Sequence, residues 1–172
     1  MKTLIYISLL LVLTSCFLFK NDCGLRNPKT NNFRILKNNK FKLDTSILKI
    51  NGVYIDKFIG SIDGSYTYQF CRFFENGRFF ESERIDSIPS TAQLNETNCG
   101  SFGHYLIHED TVIVDYFNEY IGYRLLYYKF DEDNLIYIGS KKRSSDLTFS
   151  QNSSNGRLFT FQKANLVSKS DW

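Results

Sequence analysis

Only two alanines, Ala92 and Ala164, occur in the 172 residues of this chain, which withholds from it the best helix former. In their place stand sixteen Phe and eleven Tyr, with many Ile, Val and Thr. These aromatic and β-branched side chains suit a pleated surface, so an all-β chain is expected. Recognisable catalytic chemistry is also missing. There is no GxSxG nucleophile turn and no glycine-rich phosphate loop. There is no CxxC, and neither histidine lies near a cysteine, so no spacing fits a zinc site. His104 and His108 would share one face of a strand about 13 Å apart, too far to hold one ion. Glu81 with Glu83 reads as a solvent-facing strand side and Asp131 to Asp133 as a hairpin turn. The expectation is a non-enzymatic protein with no cofactor and no metal.

Long apolar runs are absent as well. Leu4 to Phe19 falls short of the roughly 18 to 20 residues that a spanning helix needs, yet Lys2, the apolar run Leu4 to Leu13 and the small polar residues after it have the shape of an export signal. Leu13-Thr14-Ser15-Cys16 resembles the lipobox of bacterial lipoproteins, in which the cysteine becomes an acylated N-terminus after cleavage. That resemblance implies a signal peptide over 1–15 and lipidation, with palmitate among the acyl groups, at Cys16. It places the protein on the bacterial cell envelope, and Phe17 rather than Asp after the cysteine resembles the pattern that permits transfer to the outer membrane. An uncleaved anchor and a plain secretory signal cut near Ser15 are the other readings of the same residues.

Charge is uneven. Residues 16–50 hold eight Lys or Arg against two Asp or Glu, whereas residues 51–172 hold twelve against sixteen. A basic tether over 16–42 that lies on anionic headgroups, or is simply solvated, therefore precedes a mildly acidic domain. The basic residues are not interleaved with aromatics on a periodic element, so nucleic acid is not an expected partner. Of the four cysteines, acylation of Cys16 leaves three. In an oxidising compartment one disulfide and one thiol follow, with Cys71 and Cys99 the expected pair because Cys23 lies in the tether. The alternative for Cys71 is a small buried apolar residue.

From 43 to 164 turn signals punctuate short strand patterns, and 165–172 is an unassigned tail. Asn51-Gly52, Gly60 to Gly64, Asn76-Gly77, Glu109-Asp110 and Asp131 to Asn134 mark turns. Strands are expected around Leu43 to Phe58, over Ser65 to Phe74, Phe79 to Ile85, Gly103 to His108, Thr111 to Phe117, Gly122 to Phe130, Leu135 to Gly139 and Gly156 to Lys163. Ser87 to Gly100 reads as a polar loop. The result is a single antiparallel meander of about eight strands, which closure into a barrel would relieve of its edges; a β-sandwich is the alternative.

With Gly52-Val53-Tyr54, Phe74 to Arg78, Gly103 to Ile107 and Asp110 to Val114, the chain resembles the lipocalin-like domains of small bacterial lipoproteins. An eight-stranded barrel either fills its interior or holds one small ligand. Tyr66, Tyr68, Phe70, Tyr123, Tyr127 and Tyr137 alternate along their strands and are the candidate lining of an apolar lumen. The expected partners are a membrane through the lipid anchor and a small apolar ligand. The alternative is an envelope protein bound by an interaction or inhibitor module.

Overall fold

The structure, a computed structural model, describes Cys23, Pro28 and residues 32–35, 47–60, 64–143 and 156–167. The expected signal peptide over 1–15, Cys16 and most of the expected tether lie outside the described residues. Eight strands follow in order: β1 Gly52–Ile59, β2 Tyr66–Phe73, β3 Arg78–Ser82, β4 Gly100–His108, β5 Thr111–Asn118, β6 Gly122–Asp131, β7 Asn134–Lys142 and β8 Arg157–Lys163. Each pairs antiparallel with the next, and β8 pairs with β1, so the sheet is a closed, lipocalin-like barrel. At this seam Gly52 opposes Lys163 and Tyr54 opposes Phe161. A Cβ on Gly52 would strike the Gln162 carbonyl and the Phe161 ring, so only glycine lets β1 begin this close to β8.

Both faces of the barrel wall are apolar. The lumen face gathers Tyr54, Cys71, Phe73, Phe79, Tyr105, Val112, Val114, Tyr116, Leu126, Tyr128, Leu135 and Phe159 into one cluster. On the outer face Val53, Phe70, Phe74, Phe80 and Phe102 are covered by Leu94, Ala164 and Leu166. A second outer patch, Leu106, Ile113, Leu125, Tyr127 and Ile138, is covered by Ile35. Leu94 belongs to a short helix, α1 Thr91–Asn95, within the stretch expected to be loop. Its start is a capping box: Ser90 Oγ accepts from the Gln93 amide and Gln93 Oε1 accepts from the Ser90 amide at 2.9 Å. The Ser-x-x-Gln spacing was the available signal.

The segment 32–35, inside the stretch read as tether, is strapped to the outer wall. Asp115 is fully buried there and accepts from the Arg34 amide at 2.5 Å, the Ile35 amide at 3.4 Å and Arg143 Nη2 at 2.6 Å. Phe33 packs edge-on against His104, with centroids 4.8 Å apart, and against Tyr123 at 5.6 Å. Burial and the Arg78 charge lower the His104 pKa to about 4, so the ring is a neutral member of this packing.

The disulfide joins Cys23 to Cys99, with Cα atoms 5.5 Å apart, and the expected Cys71–Cys99 pair is corrected. Cys71 opposes Tyr54 on one side and Glu81 on the other. That places its thiol in the lumen, fully buried, whereas Cys99 precedes β4 outside the wall. Burial pushes the Cys71 thiol well up, holding it in the unreactive protonated form.

Two stability outcomes are expected. Cys99→Ser opens a loop closed across 76 residues and lowers the unfolding free energy by roughly 2–4 kcal/mol in non-reducing urea titrations. Asp115→Ala strands Arg143 and two strap amides and costs about 3–5 kcal/mol by the same measurement.

Candidate functional site

The lumen divides into a filled half and an open half. At the end closed by the β2–β3, β4–β5 and β6–β7 hairpins, Phe73 makes near-perpendicular contacts with Tyr54 at 5.6 Å and Tyr105 at 5.0 Å, and a tilted contact with Phe79 at 5.1 Å. Tyr128 and Phe159 add a further edge contact at 5.7 Å. Leu48 and Ile50, just ahead of β1, pack into the same cluster. The Lys49 amide donates to Tyr54 Oη at 3.0 Å, and Tyr105 Oη donates to the Phe74 carbonyl at 2.8 Å. These bonds hold the phenols at the bottom of the barrel.

Five of the six aromatics expected to line the lumen are on the other face. Strand alternation puts Tyr66, Tyr68 and Phe70 opposite in sense to Cys71 and Phe73. Tyr66 is half exposed beneath Lys57 Nζ, 3.8 Å from its ring centroid. Tyr68 exchanges backbone hydrogen bonds with Ile85, and Phe70 is in an outer cluster. Tyr123 stacks on Phe117 at 4.8 Å and on Phe33, and Tyr127 packs with Leu106 and Leu125 outside. Tyr137 alone of the six faces the lumen, 5.5 Å from the Tyr128 ring centroid. Period two was the right pattern, but with apolar residues on both faces its phase was ambiguous by one residue, and one residue reverses every side chain.

The open half is polar, and its residues come from the strand ends beside the β1–β2, β3–β4, β5–β6 and β7–β8 connections. Register runs Asp56 to Gln69 across β1 and β2, then Glu81 to Ser101 across β3 and β4, Tyr116 to Arg124 across β5 and β6, and Tyr137 to Arg157 across β7 and β8. These residues share the lumen-facing phase. Arg157 Nε donates to Asp56 Oδ2 at 2.7 Å, and its Nη2 donates to the same oxygen and to Gln69 Oε1 at 3.1 Å. Two guanidiniums lie against the Phe58 ring, Arg157 at 4.9 Å and Arg84 at 5.3 Å from its centroid. Tyr116 Oη donates to Glu81 Oε2 at 2.6 Å. Gln69, Glu81, Arg84, Arg124, Tyr137, Ser140 and Arg157 line part of a cavity of about 360 Å³. Gln69, Arg84, Tyr116 and Ile121 also wall an adjoining cavity of about 590 Å³, which extends past Ser101, Phe117 and Tyr120. Both volumes are in the range of small-molecule sites.

Two groups distinguish this mouth. Arg124 Nε is buried and has no hydrogen-bond partner among the described residues, a costly state for a cationic donor unless something accepts from it. Glu81 is reached by the cavity yet surrounded by protein. Its carboxyl pKa is raised by burial and by Asp56, against the opposing pull of the Tyr116 hydroxyl and Arg157. Burial and the Glu81 carboxylate in turn push the Tyr116 phenol up, so it is the donor of the pair. Glu83 lies beyond the end of β3 and is exposed; the pair Glu81 and Glu83 therefore does not share an environment.

Among the described residues, the grouping at metal-ligand spacing is Cys23, Glu96 and Cys99, and both of its sulfurs are in the disulfide. His104 is buried under Phe33 and His108 is exposed at the far end of β4.

Because folding raises the Glu81 pKa, the folded chain holds this proton more tightly than the unfolded chain. The stability it supplies is complete below its ordinary value of 4.5 and is lost as pH rises through the raised value. In urea unfolding from about pH 4 to 7, the Glu81→Gln variant should show a shallower fall in stability than the parent chain. Parallel profiles would place the titration elsewhere.

No family model matches the chain, and no curated protein or solved structure is significantly similar to it.

Proposed function

We propose that this is a lipid-anchored protein of the bacterial cell envelope, acylated at Cys16, whose barrel binds a small amphipathic anion without turning it over. The anchor rests on Leu13-Thr14-Ser15-Cys16 and the export signal before it. The binding role rests on one observation above the others: a cavity of about 360 Å³ lined by Arg84, Arg124 and Arg157, beside which the buried Nε of Arg124 has no partner among the described residues. A carboxylate or phosphate monoester would accept from Arg124 and meet Arg84, already stacked on Phe58. The aromatic packing of the closed half narrows the expected apolar ligand to one whose apolar part stays at the mouth, along Ile121 and Tyr120 in the larger cavity. Asp56 and Glu81 are each engaged by a neighbour, Arg157 and Tyr116, which suits positioning better than proton transfer.

An envelope-protein partner is the second reading. It is favoured by exposed apolar side chains at the mouth, such as Tyr120 at 83 % and Ile59 at 68 %.

Calorimetric titration of the full chain with octanoate, octyl phosphate, octan-1-ol and acetate tests the first reading. Octanoate or octyl phosphate should bind more tightly than the alcohol or acetate. Arg124→Gln should weaken the anion about tenfold or more, the loss expected for a charged hydrogen bond, and leave the alcohol unaffected. Equal binding of octanoate and octan-1-ol would return the site to a purely apolar ligand. Binding of none of the four, with a stoichiometric partner recovered by crosslinking in intact cells, would establish the second reading instead.

A further inference from the structure

Five large apolar side chains stand exposed at strand ends around the open mouth: Ile59 at the end of β1, Tyr66 at the start of β2, Tyr120 and Ile121 in the β5–β6 turn and Leu158 at the start of β8. They stand at the same end of the barrel as the cavity that carries Arg84, Arg124 and Arg157, and Ile121 lines it. Several large apolar side chains left exposed at one end of the barrel suit a contact surface. What it contacts is indicated by the disulfide. Cys99 immediately precedes β4, whose first residue Gly100 opposes Ser82 at the open end. Cys23 is thus pinned beside the mouth. Only six residues separate it from Cys16, a reach of at most about 25 Å even when fully extended. Tethered at the mouth by so short a leader, the barrel brings its open end to any surface that holds Cys16.

We propose that the open rim docks on the bilayer that carries the lipid anchor, with Ile59, Tyr66, Tyr120, Ile121 and Leu158 in the interfacial region and the arginine-lined cavity opening onto the headgroups. This rests on the lipidation of Cys16 proposed above. Apolar side chains entering the headgroup boundary are favoured in proportion to the area they bury. Arg84 and Lys57 stand beside them, and basic residues at a membrane surface are attracted to anionic lipid. Acidic side chains at the same end, Glu83 and Glu119, line the larger cavity on the β3–β4 and β5–β6 side. They oppose deep insertion there, so the contact is shallow. In this pose an amphipathic anion passes from the bilayer to Arg124 without crossing water.

The test uses the acylated full chain in vesicles of phosphatidylcholine and phosphatidylglycerol whose acyl chains are brominated near the headgroup. Trp172→Phe removes the one native tryptophan. Single reporters are then introduced by Tyr120→Trp or Ile59→Trp at the rim and by His108→Trp at the closed end. All three positions are exposed, so the variants should keep the fold. Both rim reporters should lose fluorescence to the bromines while the His108→Trp reporter keeps it. Equal quenching at the two ends, or quenching at neither, in protein that still floats with the vesicles overturns the docked orientation and leaves the anchor standing. Failure of the parent chain to float removes the anchor, and the orientation with it.

Discussion

Closure of the sheet is the constraint on which the rest depends. Once β8 pairs with β1, alternate residues of every strand are committed to a space only wide enough for the side chains that fill it or for one small guest. Aromatic rings from six strands occupy the end with the tight hairpins, and there is no slack left to share. Free volume is therefore displaced towards the opposite end, where the strands carry Asp56, Glu81, Arg124 and Arg157 in place of Phe and Tyr. The position of the cavity and its polarity are one consequence of the same geometry. A wall apolar on both sides then requires an outer cover, supplied by α1, the segment after β8 and the strap ahead of β1.

Much of the fold was legible in the sequence. Scarce alanine, strand-length patterns and the turn pairs Asn76-Gly77 and Glu109-Asp110 led to an eight-stranded antiparallel meander, and seven of its strand positions overlap closely with those observed. The first strand is shorter than expected because Asn51-Gly52 begins it rather than interrupting it. The site was much less legible. Tyr66, Tyr68 and Phe70 alternate as cleanly as Gln69, Cys71 and Phe73, and local sequence has no means of choosing which set faces inward when the outer face is also buried. A usable signal did exist in the charges. Arg124 lies within a strand otherwise rich in Leu and Tyr and Arg157 opens another, and a charge in such a strand faces either solvent or a cavity; Lys129, one residue out of phase with Tyr128, shows the first and Arg124 the second.

Buried charge is handled differently on the two faces. Outside, Asp115 Oδ2 accepts from two backbone amides and Arg143, so it pins the segment 32–35 to the wall. Inside, the Asp56–Arg157 pair and the Glu81–Tyr116 pair leave Arg124 and Arg84 with capacity to spare. The first arrangement expends its electrostatics on architecture, and the second retains some for a guest. The Phe58 ring matters here because it holds the two arginines beside it in place, reducing the ordering that recognition would otherwise require.

The lumen position of Cys71 also bears on how the chain matures. In a polypeptide made from its N-terminus, Cys71 becomes available to Cys23 before Cys99 has been synthesised, and the two would form a loop of a similar kind. Barrel closure depends on β8, the last strand, so nothing native sequesters that thiol until nearly the whole chain is present. Correct pairing is then a matter of timing. An oxidant that acts early would trap a 23–71 crossover incompatible with a packed lumen, whereas the completed barrel withdraws the competitor and leaves Cys99 as the partner within reach.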